Sequence, residues 1–406
     1  MLPRVASKAL EAAARTMPVV AVMGARQTGK TTLVRSQSWL STYHYLTLDD
    51  LSVRLAAQED PESLVAHSAR MILDEVQRAK DLLIAVKRAV DSDPVRTPGR
   101  FILTGSANLL MLERLGETLA GRAGYVTLWP FTRRERLGTG QTGPWSELLA
   151  APFSDWRDVI MARAAPEEDW EIAVRTGGFP VPALDLHDDQ ARATWFAGYV
   201  QTYLERDLPA LRAVEQLADL RRLMRAASLR IGSVLNQADL ARDVGISQPQ
   251  VHRFLNLLEA SFLAVRLPAY SVNRTRRLIK APKIYWCDPA MALHLSGEPS
   301  PRGQHLENLV LLDLLAWRDS QVPSPDVLYW RTASGYEVDF VVEAPGRLLP
   351  VEVKASGRVT PSDARSLGAF LEEYPDLADG GLLLYAGRET FVLARGVLAA
   401  PWWAVC

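Results

Sequence analysis

The chain has 406 residues, of which 48% are apolar and 23% charged, the composition of an ordinary soluble globular protein. A single hydrophobic core rarely serves a chain of this length, so we expect several domains. The formal net charge of −1 excludes a global basic field for nucleic acid, although a local basic patch is compatible with it. Cys287 and Cys406 lie far apart and in no metal-spaced pair, which argues against a disulfide framework or a zinc site.

The sequence shows no targeting or membrane signal. Its first residues lack the charged segment followed by an apolar segment that marks a signal peptide. No apolar run reaches the roughly 20 residues that a membrane-spanning helix needs. We therefore expect a cytoplasmic protein with no membrane partner.

Apolar segments alternate with polar or helical ones in the first third of the chain. After a predicted helix from Ala6 to Arg15, the candidate strands are Pro18 to Met23, Tyr43 to Leu48, Met71 to Leu73 and Phe101 to Leu103. Strands that alternate with crossover segments form parallel sheets. The pattern predicts an α/β fold with a doubly wound parallel sheet.

The segment after the first apolar strand carries a phosphate-binding motif. It reads Gly24, Ala25, Arg26, Gln27, Thr28, Gly29, Lys30, Thr31 and matches G-x-x-x-x-G-K-[ST] in full. The glycines allow backbone N–H groups to turn onto phosphate oxygens, and the following helix adds its positive N-terminal dipole. We expect these residues and Thr32 to bind ATP, with Lys30 at the β- and γ-phosphates and Thr31 at Mg²⁺.

The strand from Met71 to Leu73 ends in two acids, Asp74 and Glu75. Behind a phosphate-binding loop, this pattern predicts that Asp74 holds Mg²⁺ through water. Glu75 would then polarise the water that attacks the γ-phosphate.

Two further segments are candidates for the same site. The strand ending at Leu103 leads into Thr104, Ser106 and Asn108, and a polar side chain at this position would sense the γ-phosphate. The sequence does not choose among the three. Arg122 would stabilise transition-state charge as an arginine finger if it faces the ATP of a neighbouring subunit; the alternative is a surface ion pair.

These motifs resemble a large group of prokaryotic AAA+-type P-loop ATPases whose ATPase core is fused to a C-terminal domain of unknown function. Nearly the whole chain contributes to the resemblance. Besides the motifs above, it includes Trp129 to Phe131, Thr176 to Pro180, Tyr203 to Asp207 and Tyr336 to Asp339. The resemblance implies that Gly178 and Pro180 lie in a lid near the adenine.

We divide the chain accordingly into an ATPase core (1–145), a helical lid (150–215), a winged-helix-like module (216–285) and a C-terminal α/β domain (286–406). Gly, Pro, Ser and Thr are frequent from about 138 to 154, which favours a boundary there. Helices predicted at Asn236 to Val244 and Gln248 to Ala260 flank a short turn. A candidate strand, Phe262 to Leu267, follows them, as in a helix-turn-helix with a wing.

The last domain contains a possible metal site. Glu352 and Lys354 are two residues apart on a predicted strand and so point to one face. Asp339 on the neighbouring strand can meet them, and Glu307 on the preceding helix is a further candidate. The arrangement resembles the D…E-x-K core of PD-(D/E)xK nuclease folds. There the acids bind Mg²⁺ and the lysine, here Lys354, polarises water or the scissile phosphate.

Basic residues accompany the winged-helix-like module: Arg253, Arg274, Arg276, Arg277, Lys280 and Lys283. Such a basic edge suits phosphate contacts with DNA, and the alternative is a solvated basic face.

Three functions remain open from the sequence. The first is ATP hydrolysis coupled to movement of the C-terminal domains, with DNA, a protein or further copies of the chain as partners. The second is a regulatory binding module that ATP switches and that does not cut. The third is a metal-dependent nuclease gated by ATP.

Overall fold

The structure is a computed structural model that describes residues 2–105, 119–203 and 214–406. It divides into two compact units, residues 1–130 with 260–262, and residues 131–259 with 263–406. The predicted four-domain division stays a prediction. In the described part of the chain, no helix combines the length and apolar character needed to cross a membrane.

The first unit is built on a parallel sheet. Its strands are β1 (Val19–Met23), β2 (His44–Thr47), β3 (Met71–Asp74), β4 (Phe101–Thr104) and β5 (Ala123–Thr127). Its helices are α1 (Ala6–Thr16), α2 (Lys30–Ser36), α3 (Leu51–Glu59), α4 (Pro61–Ala66) and α5 (Lys80–Asp91). The described residues order the five strands β2-β3-β4-β1-β5, and every pair is parallel. The predicted α/β fold is therefore confirmed.

Apolar residues on both faces of this sheet hold it between helices. Successive residues of β1 point to opposite faces of the sheet. Val19 belongs to a buried cluster that includes residues of α5, and Val20 belongs to another that includes residues of α1 and α2. A strand buried on both faces reads as a continuous apolar run, which is why the sequence revealed β1. The last residues of β1 and β3 then lie at the same edge of the sheet, where ligands of open α/β sheets bind.

The second unit contains mostly helices before a large sheet. Its helices are α6 (Arg133–Arg136), α7 (Trp145–Ala150), α8 (Trp156–Arg163), α9 (Trp170–Thr176), α10 (Pro180–Leu184), α11 (Asp189–Thr202), α12 (Val214–Ser228), α13 (Gln237–Val244), α14 (Gln248–Ala260), α15 (Arg274–Ile279), α16 (Pro289–Ser296), α17 (Gly303–Arg318), α18 (Arg365–Glu373) and α19 (Trp402–Val405). Its strands are β6 (Ala264–Leu267), β7 (Lys283–Trp286), β8 (Asp326–Arg331), β9 (Glu337–Ala344), β10 (Arg347–Lys354), β11 (Gly381–Tyr385), β12 (Phe391–Ala394) and β13 (Val397–Pro401).

Two sheets organise the second unit. Strands β6 and β7 form an antiparallel pair after helices α12 to α14, and the winged-helix interpretation of this segment stays a prediction. The described residues of the C-terminal sheet have the order β12-β13-β11-β10-β9-β8. Strands β10, β11 and β13 are parallel, whereas β9 pairs antiparallel with β10. Helix α17 packs against β10 and β8, and α18 packs against β9, β10 and β11.

Candidate functional site

The loop after β1 adopts a conformation that requires glycine at both ends. Gly24 has a φ of 149°, and a Cβ atom at this position would lie 2.2 Å from the carbonyl oxygen of Leu128. Gly29, just before α2, has a φ of 93° in the left-handed region. Both positions disfavour any residue with a side chain, so the motif glycines shape the loop.

Lys30 is folded back onto this loop. Its side chain is buried, and its Nζ atom donates hydrogen bonds to the carbonyl oxygens of Gly24 (3.1 Å) and Ala25 (2.7 Å). An ammonium group is thus held inside the concave loop, where an anion would be received.

Arg4 fixes the far side of the loop. Its guanidinium donates to the carbonyl oxygens of Thr28 (3.0 Å) and Trp129 (2.5 Å), and the Thr28 hydroxyl donates to Ala25 (2.9 Å). These bonds provide donors for the backbone carbonyls of Ala25, Thr28 and Trp129, and they hold the loop in place. Sequence reasoning did not single out Arg4 for this role.

The carboxylate of Asp74 is the centre of a hydroxyl network. The Thr31 hydroxyl lies 3.0 Å from both carboxylate oxygens, the Tyr45 hydroxyl donates to Oδ2 at 2.8 Å, and the Thr104 hydroxyl donates to Oδ1. Asp74 itself is buried. The two residues predicted to hold Mg²⁺, Thr31 and Asp74, are therefore brought together, and oxygen ligands of this kind suit that ion.

Glu75 follows at the end of β3 with a φ of 57°, an unusual left-handed conformation for a residue with a side chain. Its carboxylate accepts a hydrogen bond from the Gln77 side-chain amide. Burial raises the pKa of the Glu75 carboxyl, while Gln77 and Lys30 act in the opposite direction. A strained, partly desolvated acid beside the loop is the environment that a catalytic carboxylate needs.

Of the three candidate γ-phosphate sensors, the structure describes only Thr104, whose hydroxyl bonds to Asp74. Ser106 and Asn108 lie outside the described residues, as do 204–207 of the motif from Tyr203 to Asp207. Arg122 forms a two-point ion pair with Asp91 of the same unit, with Nε–Oδ1 and Nη2–Oδ2 distances of 2.6 and 3.0 Å. The role of Arg122 in a neighbouring site stays a prediction.

The predicted lid segment is tied to the second unit. Pro180 begins α10, and the N–H groups of Gly178 and Phe179 donate to the Asp288 carboxylate at 2.6 and 3.2 Å. A Cβ atom at Gly178 would lie 2.2 Å from the carbonyl oxygen of Phe131, which explains the glycine. Contact of Pro180 with adenine stays a prediction.

The C-terminal residues singled out from sequence lie on two strands of the C-terminal sheet, β9 and β10, and on helix α17. Lys354 Nζ lies 2.7 Å from Glu352 Oε1, and the N–H group of Val353 donates to Asp339 Oδ2 at 3.0 Å. The negative charge of Asp339 raises the pKa of the two buried carboxyl groups of Glu352 and Glu307, so these side chains lie near it. The four predicted residues therefore form one cluster, which we call the C-terminal cluster: Glu307, Asp339, Glu352 and Lys354.

Three segments of the chain match known protein families. Residues 16–137 match the family described as "AAA domain", and residues 167–302 and 302–405 match two domains of unknown function, DUF8612 and DUF4143. Uncharacterized protein Rv2008c of Mycobacterium tuberculosis and uncharacterized protein Mb2031c of Mycobacterium bovis are each 31% identical to the chain over 409 residues. Each alignment covers 98% of this chain and 83% of the relative.

This chain belongs to the family of these two mycobacterial proteins. Its first unit is an AAA-type P-loop ATPase domain. Among solved structures, the Walker-type ATPase PABY2304 of Pyrococcus abyssi matches with 18% identity and a TM-score of 0.45, over 72% of this chain and 98% of that one.

Beyond the P-loop ATPase domain, burial shifts the pKa of two carboxyl groups of the C-terminal cluster. It raises the pKa of Glu352 to about 8, with the neighbouring Asp339 charge as the second cause. Burial, again with Asp339, also raises the pKa of Glu307 well above its usual value. Close carboxyl groups cannot all ionise without a cation nearby.

The C-terminal cluster fits a divalent ion only in part. The Oε2 atom of Glu352 is buried and has no hydrogen-bond partner in the described structure, as expected of an oxygen that awaits a ligand. Within residues 2–105, 119–203 and 214–406, however, no three His, Cys, Asp or Glu side chains are arranged as a ready metal site. Metal roles for Asp339 and Glu352 stay predictions.

The structure adds residues that sequence reasoning missed in both units. Tyr45 contacts Asp74 of the P-loop ATPase domain because β2 pairs with β3. The only indication of this in the sequence was that Tyr45 lies in a predicted apolar strand. Lys283, assigned to the basic edge, is buried and lies 3.1 Å from Asp339 Oδ1. The apolar residues that follow it, Ile284 to Trp286, were the available signal that it begins a buried strand.

The predicted basic edge is accordingly smaller than expected. Arg277 is buried against Glu343, and Lys283 is buried against Asp339, so neither is available to DNA. The side chains that remain exposed are Arg253, Arg274, Arg276 and Lys280.

Proposed function

We propose that this protein binds ATP with Mg²⁺ at the loop of residues 24–31 and hydrolyses it. The observation that carries the proposal is the contact between Thr31 and Asp74 beside a glycine loop that holds Lys30. In P-loop enzymes, the hydroxyl after the loop lysine and the acid at the end of the neighbouring strand are the groups that hold Mg²⁺.

The loop would bind the phosphates mainly through its backbone. We assign nucleotide contacts to Gly24, Ala25, Arg26, Gln27, Thr28, Gly29, Lys30, Thr31 and Thr32. Lys30 would exchange the carbonyl oxygens of Gly24 and Ala25 for β- and γ-phosphate oxygens, and charged acceptors form the stronger bonds. Mg²⁺, when bound, would neutralise phosphate charge at Thr31 and Asp74.

Glu75 is the candidate that activates water. Its raised pKa makes it a stronger proton acceptor than an ordinary carboxylate, and it directly follows Asp74 in the sequence. The Gln77 amide that now bonds to Glu75 would orient the carboxylate. Ser106 is retained as a candidate γ-phosphate sensor and Pro180 as a candidate adenine contact.

Arg122 is proposed as an arginine finger for the ATP of a second copy of the chain. We expect activity per protomer to rise with protein concentration. Mixing Arg122→Ala protomers with Lys30→Ala protomers should restore activity, because one intact composite site can form. The measurement is phosphate release from the mixture, compared with each variant alone.

Assembly of the mixture is verified by light scattering. An assembled mixture that shows no rescue would place Arg122 in its own subunit, where its ion pair with Asp91 gives it a structural role. Asp91→Ala serves as the companion variant, because it removes the partner and keeps the arginine.

The exposed face of α14 supports DNA as a partner of the ATPase. It presents Gln248, His252, Arg253 and Asn256, side chains able to bond to phosphates and base edges. Multiple-turnover hydrolysis that DNA stimulates would favour an ATPase acting on DNA. Tight nucleotide retention with negligible turnover would favour the alternative, an ATP-switched binding module without nuclease activity.

ATPase and plasmid-cleavage assays run side by side test this proposal. Lys30→Ala should remove ATP turnover, whereas Lys354→Ala should affect only cleavage. Wild-type protein that hydrolyses ATP but leaves plasmid intact would assign the C-terminal domain to binding, since a fold does not by itself entail activity.

We also propose that Asp339 and Glu352 bind a divalent ion weakly, and this supports the nuclease-like interpretation of the C-terminal domain. In a nucleotide-free Lys30→Ala background, Mn²⁺ should raise the melting temperature, because a cation relieves carboxylate repulsion. Asp339→Asn should abolish that rise. If the rise survives Asp339→Asn, the ion binds elsewhere and the nuclease-like interpretation loses its physical support.

A further inference from the structure

Lys283 is a buried cation placed among carboxylates. Its side chain is 1% exposed, and Nζ lies 2.6 Å from Glu337 Oε1 and 3.1 Å from Asp339 Oδ1. The ring of Tyr329 faces the ammonium, with its centroid 5.7 Å from Nζ. A lysine is almost never this deeply buried unless it is paired, so these contacts define its environment.

The carboxylates near Lys283 are already engaged. Asp339 uses Oδ1 for Lys283 and Oδ2 for the N–H group of Val353. On the adjacent strand, Glu352 uses Oε1 for Lys354. Glu307 accepts a hydrogen bond from the Tyr285 hydroxyl at 3.1 Å, whereas Glu352 Oε2 is buried and unpartnered.

We propose that Lys283 is the resident cation of the C-terminal cluster and competes with divalent metal for Asp339. The inference rests on the proposed divalent site at Asp339 and Glu352. A dication bound to Asp339 Oδ1 would stand within a few ångströms of the ammonium, and like charges at that distance repel strongly in a buried site. A metal ion can therefore bind Asp339 only if the Nζ atom of Lys283 moves away from Asp339 and toward Glu337.

Burial opposes that withdrawal, because the Lys283 side chain is 1% exposed and its Nζ atom already lies 2.6 Å from Glu337 Oε1. Lys283 begins β7, which pairs with β6, and it also bridges to Val234. Asp339 belongs to β9 of the C-terminal sheet, so the ammonium joins two separate sheets of the second unit.

The test is Mn²⁺ affinity, measured by titration calorimetry and by the decrease of the free-ion electron paramagnetic resonance signal. All proteins lack nucleotide and carry Lys30→Ala. We expect Lys283→Met to bind Mn²⁺ at least about tenfold more tightly than the parent, because the competing charge is gone. Adding Asp339→Asn should remove the gained binding.

Matched controls separate charge from position. Lys283→Arg keeps the cation and should bind as weakly as the parent, and Lys280→Met removes an exposed lysine of the same segment and should change nothing. If Lys283→Met fails to fold, the double variant Lys283→Met/Glu337→Gln removes one carboxylate with the lysine and leaves Asp339 for the ion.

Two results would overturn the inference in distinguishable ways. Equal Mn²⁺ affinity of the parent and of the folded protein that carries Lys283→Met, lost on Asp339→Asn, would refute competition and leave the proposed metal site standing. Absence of binding in both parent and variants would refute the metal site together with the competition.

Discussion

Replacing Lys30 by alanine is expected to weaken ATP binding at least about tenfold, because a charge-assisted contact to phosphate is worth about 1.5–3 kcal/mol. The Nζ atom now bonds to the carbonyl oxygens of Gly24 and Ala25, and no other residue of the motif offers an ammonium group. Titration of the purified variant with a labelled ATP analogue measures the loss.

Lys8→Ala is the matched control, since Lys8 is an exposed lysine on α1 and is not part of the phosphate motif. It should bind ATP as the wild type does. The thermal melting curve of Lys30→Ala establishes that the variant is folded. A folded Lys30→Ala protein with unchanged ATP affinity would refute the assignment of residues 24–31 as the nucleotide site.

Replacing Glu75 by glutamine should separate binding from hydrolysis. The amide keeps the size of the side chain but cannot accept the proton of the attacking water, a loss that commonly costs about a hundredfold or more in rate. Asp74 and Lys30 remain, so ATP affinity should stay close to that of the wild type. Single-turnover hydrolysis and equilibrium binding on the same preparation measure both quantities.

Glu59→Gln, an exposed glutamate at the end of α3, is the control for the loss of a carboxylate and should leave the rate unchanged. Wild-type hydrolysis by Glu75→Gln would remove Glu75 from the proposed mechanism. It would leave the nucleotide site itself in place, because Thr31 and Asp74 are untouched.

The parallel sheet could be predicted because its three central strands, β3, β4 and β1, are buried on both faces. Strands β1, β3 and β4 are short apolar runs, and the motif residues follow directly after them. Strand β5 was missed because Ala123 to Thr127 combines a glycine and partly exposed residues, a weak strand pattern. Tyr45 was missed as a site residue because only the pairing of β2 with β3 brings it to Asp74.

The side-chain partners of charged residues were the least predictable part of the site. Local sequence indicates that Arg122 and Lys283 are basic, but it does not show that Asp91 and Asp339 neutralise them. Such pairs depend on elements distant in sequence, and burial decides whether a charge is a ligand or a structural partner. The proximity of Glu352 and Lys354 could be predicted from the sequence, because residues two apart on one strand lie on the same face.

The central claim is that the loop of residues 24–31 binds ATP for hydrolysis, and counting turnovers tests it most directly. Wild-type protein with Mg²⁺ and a large excess of ATP should release many phosphates per protomer. Lys30→Ala and Glu75→Gln should release almost none under the same conditions. Wild-type protein that binds ATP but releases no more than one phosphate per protomer, with and without DNA, would contradict the claim.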